Sequence, residues 1–412
     1  MNHLAHNGGR YLAAPCCVLL LVALAMAVPA QAEIALRFAA WHDTGGHSLR
    51  GITDLLDGFQ ARNPNVRVNY NAEDWAQARI RLKYWFGSHS QYAPDVTILP
   101  DVWLAAYADQ LVSLEGALKD KETSGLVPAV LNRCRVSGRL VGIPWIVRSR
   151  ALYYRTDLLE AAKLKPPKTL VELQAAATAL TKTPDAYGLG LPGRPGGGVL
   201  EAFLDLLAAH GGQPLDKDGK LQLQSKEAEA ALAFWQALHR ERVLEPEVLS
   251  WGELELQEAF ARGQLAVLIA GPELHQRLRK VAPALKFGVT ALPTGGDPAL
   301  PISVEVLVAL RNTQQPEATT RFLRFMACDE AQRAMTLMGG LPVAEAYYQR
   351  VRGDVDVAPF VTGLERARGL PMAQAEPAAR IVERALWLCL SGRATPAEAL
   401  KISSDEEDRR IF

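Results

Sequence analysis

The sequence predicts an α/β protein whose N-terminal region is a parallel, doubly wound sheet flanked by helices. Two observations carry this. Runs of period two at 34–40 and 66–70, and a continuous apolar run at 96–99, alternate with helical patterns of period 3.6. The chain also has 412 residues, more than one ordinary domain and suited to two or three. Strands alternating with helices at this spacing argue for βαβ units. Such sheets hold ligands beyond the carboxyl ends of their strands.

The elements follow in order. Ile34, Leu36, Phe38 and Ala40 alternate as in a strand, and Ser48 is suited to cap a helix whose apolar face is Leu49, Ile52, Leu55, Leu56 and Phe59. Asn63-Pro64 ends that helix, and Val66, Val68 and Tyr70 form the second strand. A helical segment over about 74–86 leads to Pro94 and a third, buried strand. The carboxyl-end rule then points to loops 41–48, 71–75 and 100–103, which should converge. Further on, Pro166-Pro167 stops one element, and TLVE at 169–172 is a capping box that starts the next. Asp218-Gly219 reads as a hairpin turn. Ala228, Ala231, Leu232, Trp235 and Leu238 share one helical face, which makes Trp235 a core residue. Strands are expected over 287–292 and 304–310, with Glu305 in an otherwise apolar run, and helices from 316 to about 390.

Composition narrows the function. Lys+Arg and Asp+Glu both total 45, so no net field favours nucleic acid or anionic lipid. Residues 1–32 combine Arg10, the apolar run VLLLVALAMAV at 18–28 and the pattern Ala30-Gln31-Ala32, which together describe a cleavable secretory leader. Beyond it stand Cys134, Cys328 and Cys389, a sparse set that reads as packed small residues. Whether two of them form a disulfide is left open at this point.

No G-x-S-x-G elbow, phosphate-binding loop, H-E-x-x-H or C-x-x-C pair occurs. The spacing of His42 and His47 beside Asp43 is weak for a metal, and the acidic residues near Asp218 are too few for calcium, so neither metal nor cofactor is expected. The run GRPGGG at 193–198 reads as a flexible loop at a cleft edge rather than a dinucleotide turn.

Several stretches, taken in order, resemble the family 1 extracellular solute-binding proteins of ABC importers, the maltose-type sugar-binding group. They are LLDGFQARNPNVRV at 55–68, APDVTIL at 93–99, GRLVGIPW at 138–145 with LYYRTDLL at 152–159 and PKT at 167–169, and AFARGQLAVLIAGP at 259–272. PEA at 316–318, FLRF at 322–325 and GGLP at 339–342 also fit. The resemblance implies a type II periplasmic-binding-protein fold: two lobes, each a mostly parallel sheet flanked by helices, with ligand held between them. By analogy the chain crosses near 148–152, 302–306 and 341–346. The expected division is a leader at 1–32, an N-terminal lobe of 33–148 and 306–340, a C-terminal lobe of 149–305 and 341–402, and a charged tail at 403–412. The implied protein is a non-enzymatic periplasmic monomer that captures a sugar or similar small polar solute and delivers it to an inner-membrane permease. An exported glycan-active enzyme and a ligand-presenting sensor subunit are the alternatives.

A sugar site needs aromatic faces and planar polar groups. Trp41, His42 and Asp43 follow the first strand; Asp74 and Trp75 open the next helix, where Asp74 also suits an N-cap; Asp101 follows the third strand. Trp145, Arg148 and Arg150 stand at the first crossing, and Glu305 at the second needs a partner, either a ligand hydroxyl or an arginine. Two departures from the family bear on the ligand: Glu273 follows Gly271-Pro272 where relatives carry a stacking aromatic, and MAQAEPAAR at 372–380 has none. Trp251 is the candidate to compensate. A smaller, more polar or partly charged solute fits these losses better than a long maltodextrin.

Overall fold

The computed structural model describes residues 33–42, 49–74, 77–87, 90–118, 123–293, 302–337, 341, 343–351, 353–362, 364, 370 and 372–410. The expected leader lies outside the described residues, as do Asp43, Ser48 and Trp75.

Strands β1 (Ile34–His42), β2 (Val66–Asp74) and β3 (Val96–Pro100) come first. A small hairpin of β4 (Arg135–Val136) and β5 (Arg139–Leu140) precedes β6 (Ile143–Arg148) and β7 (Ala151–Arg155). Then follow β8 (Tyr187–Gly190), β9 (Leu265–Ala270), β10 (Phe287–Thr290) and β11 (Ser303–Ala309). They form two main sheets, in the orders β2-β1-β3-β11-β6 and β10-β7-β9-β8.

In the first sheet β1, β2 and β3 are parallel, and β11 runs against both β3 and β6. In the second, β8 and β9 are parallel and β7 runs against β9 and β10. Each sheet thus has one reversed strand, and in each case it is the strand on which the chain arrives from the other lobe. β6 ends at Arg148 in the first sheet and β7 starts at Ala151 in the second. A strand that arrives from the cleft starts at the edge where its neighbours end, so it must be antiparallel to them. The two-lobed α/β fold with mostly parallel sheets is therefore present.

Local sequence explains the elements. All five residues of β3 are buried, as a strand covered on both faces requires, whereas β2 at the sheet edge alternates buried Val66 and Val68 with exposed Arg67 and Asn69. Helix Leu49–Arg62 buries Ile52, Leu55, Leu56 and Phe59 on one face. Helix Pro316–Ala327 starts on a proline suited to its first turn. Its Phe322 meets Phe38 and Phe59 at ring separations of 5.4 and 5.1 Å. Each such buried ring contributes roughly 1.5–3 kcal/mol over leaving it in water. Thr169 caps helix Leu170–Leu180 by accepting the Glu172 N–H at 3.1 Å, as the capping box predicts. In the second lobe Trp235 is fully buried within helix Lys226–Arg240. Cys134, Cys328 and Cys389 are unbridged.

Three expectations change. Residues 403–410 are not a tail but the end of helix Pro396–Arg410, where Ser403, Ser404 and Glu407 are buried and Glu407 accepts from Arg380 Nε at 2.9 Å. Strand β11 belongs whole to the first sheet from Ser303, so a boundary at 305/306 would cut a ladder in half. Leu341 and Ala344 bridge to Val147 and Leu126 and so pair with first-lobe segments, whereas helix Met372–Leu390 packs on the second lobe's helices Val199–Ala209 and Lys226–Arg240.

Candidate functional site

The parallel register brings the carboxyl ends of the first sheet together. Trp41 lies opposite Glu73 and His42 opposite Asp74, while Glu305 lies opposite Pro100 on one side and Ile146 on the other. Ser303 pairs with Arg148. Trp41, His42, Asp74, Asp101, Arg148 and Glu305, six of the residues singled out in the sequence, therefore line one edge. For His42 the strand position alone is described.

Their side chains have different employments. The half-buried Trp41 donates its indole N–H to the Ile98 carbonyl at 2.6 Å and stacks on Trp85 at 5.4 Å and 29°. The ring is thus held in one orientation at the end of its strand. Asp74 is exposed and ends β2; the helix after it starts at Ala78 with no side-chain cap, so Asp74 is not its N-cap. The Asp101 side chain is 3% exposed, pairs with Arg133 and accepts the Val304 N–H at 3.1 Å. Burial pushes its pKa up against the pull of Arg133. Trp145 is 2% exposed and packs edge-on against Phe38, so its ring belongs to the core and does not reach the edge. Arg148 Nε donates to Glu305 at 2.7 Å, and their side chains are 40% and 20% exposed. This pair ties the two crossing strands beside a bulge at Glu305/Val306. The partner that Glu305 needed is an arginine.

The second sheet presents the opposite edge. Ala151 pairs with Ala270 and Gly190 with Leu268, which sets Gly271-Pro272-Glu273 and the loop 191–198 beside the crossing. Arg150, just ahead of β7, donates through Nε and Nη2 to Asp205 at 2.7 and 2.5 Å and through Nη1 to Glu253 at 2.5 Å. The Arg150 and Asp205 side chains are 15% and 3% exposed, and that of Glu253 is 45% exposed. Burial alone would weaken the Arg150 charge, but Asp205, Glu253 and Glu201 outweigh it and hold the guanidinium protonated. Burial pushes the Asp205 and Glu253 carboxyls up, with Arg150 opposing. Arg150, Leu191, Pro192, Glu253 and Ile269 line a small pocket here.

Glu273 begins helix Glu273–Val281 and folds over Gly271, where a Cβ would lie 2.2 Å from its carboxylate. Trp251 is half-buried against the core, and its carbonyl accepts the N–H groups of Gly193 and Arg194 at 2.9 and 3.0 Å. Those bonds, with Arg194 to Glu255 at 2.6 Å and Gly196 N–H to Glu383 at 2.7 Å, brace the glycine-rich loop that sequence alone suggested would be flexible. Helix Met372–Leu390 also reaches the segment Asp101–Trp103, so the lobes touch across the cleft.

Asp205 and Glu253 were not singled out from the sequence, yet Asp205 carried a signal. In VLEAFLDLLAA, helical spacing sets it on the face of Ala202 and Leu206, where a carboxylate needs a partner.

Comparison with known proteins fits this geometry. Residues 45–333 match the family model described as bacterial extracellular solute-binding protein. A Brucella abortus protein named only as a binding protein is 26% identical over 368 residues, covering 86% of this chain and 88% of its own. The maltodextrin-binding protein MdxE of Bacillus subtilis is 28% identical over 251 residues, covering 56% and 57%. Among solved structures, maltose-bound MalE3 of T. maritima superposes with a TM-score of 0.79 at 24% identity, covering 91% of this chain and 99% of that one. A solute-binding protein of Thermotoga lettingae with bound alpha-D-tagatose gives 0.80 at 21%, covering 92% and 100%. These likenesses establish the fold, and the family match spans most of the described strands. With two facing sheet edges and that match in hand, the chain belongs to the family of bacterial extracellular solute-binding proteins.

Proposed function

We infer that the protein is exported, captures a sugar, polyol or similar small polar solute between the two sheet edges, and hands it to an ABC permease without converting it. The observation that carries this reading is the meeting of two carboxyl edges rich in fixed polar groups, Arg148–Glu305 on one and Arg150–Asp205–Glu253 on the other. In this reading the first lobe is 33–148 with 303–351, and the second is 151–292 with 370–410. Trp41, Asp74, Arg148 and Glu305 supply the first-lobe contacts, together with His42, Asp43 and Trp75; Glu273 and Trp251 stand on the second. The bound relatives, one with maltose and one with tagatose, support a carbohydrate-like ligand.

A thermal-shift screen of residues 33–412 against monosaccharides, disaccharides and polyols tests the reading. A ligand at 100 times its Kd adds about 2.7 kcal/mol of stability, a readily visible rise in midpoint. A rise with one class supports capture and names the solute; a flat response across all of them counts against it.

A further inference from the structure

Among the described carboxylates of the second edge, Glu253 stands out by its setting. It opens helix Glu253–Ala261, its Oε1 is held by Arg150 at 2.5 Å, and that guanidinium is itself fixed on the buried Asp205. No described residue donates to its Oε2, and its side chain is 45% exposed in the pocket shared with Arg150, Leu191, Pro192 and Ile269. Space for this arrangement is supplied by Gly198. A Cβ there would lie 2.6 Å from the Glu253 side chain, and the φ of +98° already disfavours any other residue. A Cβ added at Gly197 would lie 2.9 Å from the Gly252 Cα, so the loop and the start of this helix pack backbone to backbone. Gly198 thus leaves room for the carboxylate, while Gly197 and Gly252 let the loop approach the start of its helix.

The charges around it select the ligand chemistry. Glu201 and Glu273 stand near enough to Glu253 to act on it, and Asp205 adds a fourth acid. Against them, each guanidinium nitrogen of Arg150 is already engaged inward, and Arg194 on the neighbouring loop is turned to Glu255. The wall offers an oriented acceptor and opposes further negative charge.

We propose that Glu253 is the specificity-determining residue of the second lobe: its Oε2 accepts a hydrogen bond from a ligand donor, a hydroxyl or an ammonium, while Arg150 and Asp205 act as positioning residues, and the wall rejects anionic sugars. The assignment rests on the solute-capture reading above and deepens it.

Calorimetric titrations of the wild type with ribitol, maltose and glucosamine, and with glucose 6-phosphate and glucuronate, test it. The wild type should bind at least one of the first three, and both anions about tenfold more weakly or worse. Glu253→Gln keeps shape but removes the charge, and should weaken the bound partner by about tenfold or more. Glu160→Gln, on an exposed position of helix Thr156–Ala161 beyond the far end of β7, should change it less than threefold (roughly the scatter of an exposed charge). Preferential loss of glucosamine over ribitol in Glu253→Gln assigns the donor as an ammonium; equal loss assigns a hydroxyl. If Glu253→Gln fails to fold, Glu253→Asp, which withdraws the carboxylate by one methylene, carries the same expectation. Unchanged affinity in the variant, an equal loss in both variants, or tighter binding of an anion overturns the assignment alone. A wild type that binds none of the three overturns the capture reading, and this assignment with it.

Discussion

Asp205 offers the sharpest test of how the second edge is held. Its carboxylate takes two hydrogen bonds from Arg150, at 2.7 and 2.5 Å, and is 3% exposed. In Asp205→Ala the Arg150 side chain stays buried with Glu253 as its remaining partner, and Glu253 is 45% exposed. Breaking a buried pair from one side costs about 3–5 kcal/mol, because the charge left behind has lost its solvent and its partner. Since Glu253 still compensates in part, the lower end, about 3 kcal/mol, is expected. Urea unfolding followed by circular dichroism reads this directly: with a slope near 3 kcal/mol/M, suited to a large domain, the midpoint falls by about 1 M. The double variant Arg150→Met with Asp205→Leu removes both charges and should recover most of the loss, since apolar replacement of a buried pair is often neutral. A shift in Asp205→Ala no larger than that of a surface change, within about 0.5 kcal/mol, would refute the buried clamp. So would a double variant that loses as much as the two single ones summed.

Two further predictions concern single groups. Glu245 is 1% exposed and no other described residue donates to its oxygens, so burial pushes its pKa from the usual 4.5 up to about 8. Such a raised carboxyl favours the fold at low pH, and that contribution is lost as pH rises from about 4.5 to 8, at about 1.4 kcal/mol per pH unit. Glu245→Gln should therefore lose distinctly less stability than the wild type between pH 5 and 8, and parallel denaturation curves at both pH values would contradict this. For Trp41, Trp41→Phe keeps an aromatic face but gives up the bond to the Ile98 carbonyl, and should cost about 1 kcal/mol in thermal unfolding. Trp41→Ala should also weaken ligand binding about tenfold or more if the ring faces the solute; lowered stability with unchanged affinity would confine Trp41 to packing the sheet edge.

The first lobe was the more legible half of the sequence. Period-two runs at 34–40 and 66–70, and the short apolar run at 96–99, set three strands by local pattern alone, and the strands extend from them to His42, Asp74 and Pro100. The reversed strands β7 and β11 carry no such mark, because strand direction follows from how the chain crosses between lobes. Trp145 was misread by position: it stands near the crossing, but Ile143 to Val147 are all buried, the signature of a strand covered on both faces. Glu253 could not have been found locally. Its role depends on Gly198 and Arg150, 55 and 103 residues away in sequence, which the fold brings together. The end of the chain was misread for a related reason, since the acid-rich stretch near Glu407 looks solvated until Arg380 packs against it.

The most direct test of capture without conversion is recovery of the ligand. Residues 33–412 are saturated with the strongest partner from the thermal-shift screen, freed of excess by dialysis, denatured, and the released compound is weighed by mass spectrometry. The account predicts one mole per mole of protein, chemically unchanged after prolonged incubation. Cleaved or rearranged product, or no retained compound at all, would contradict it.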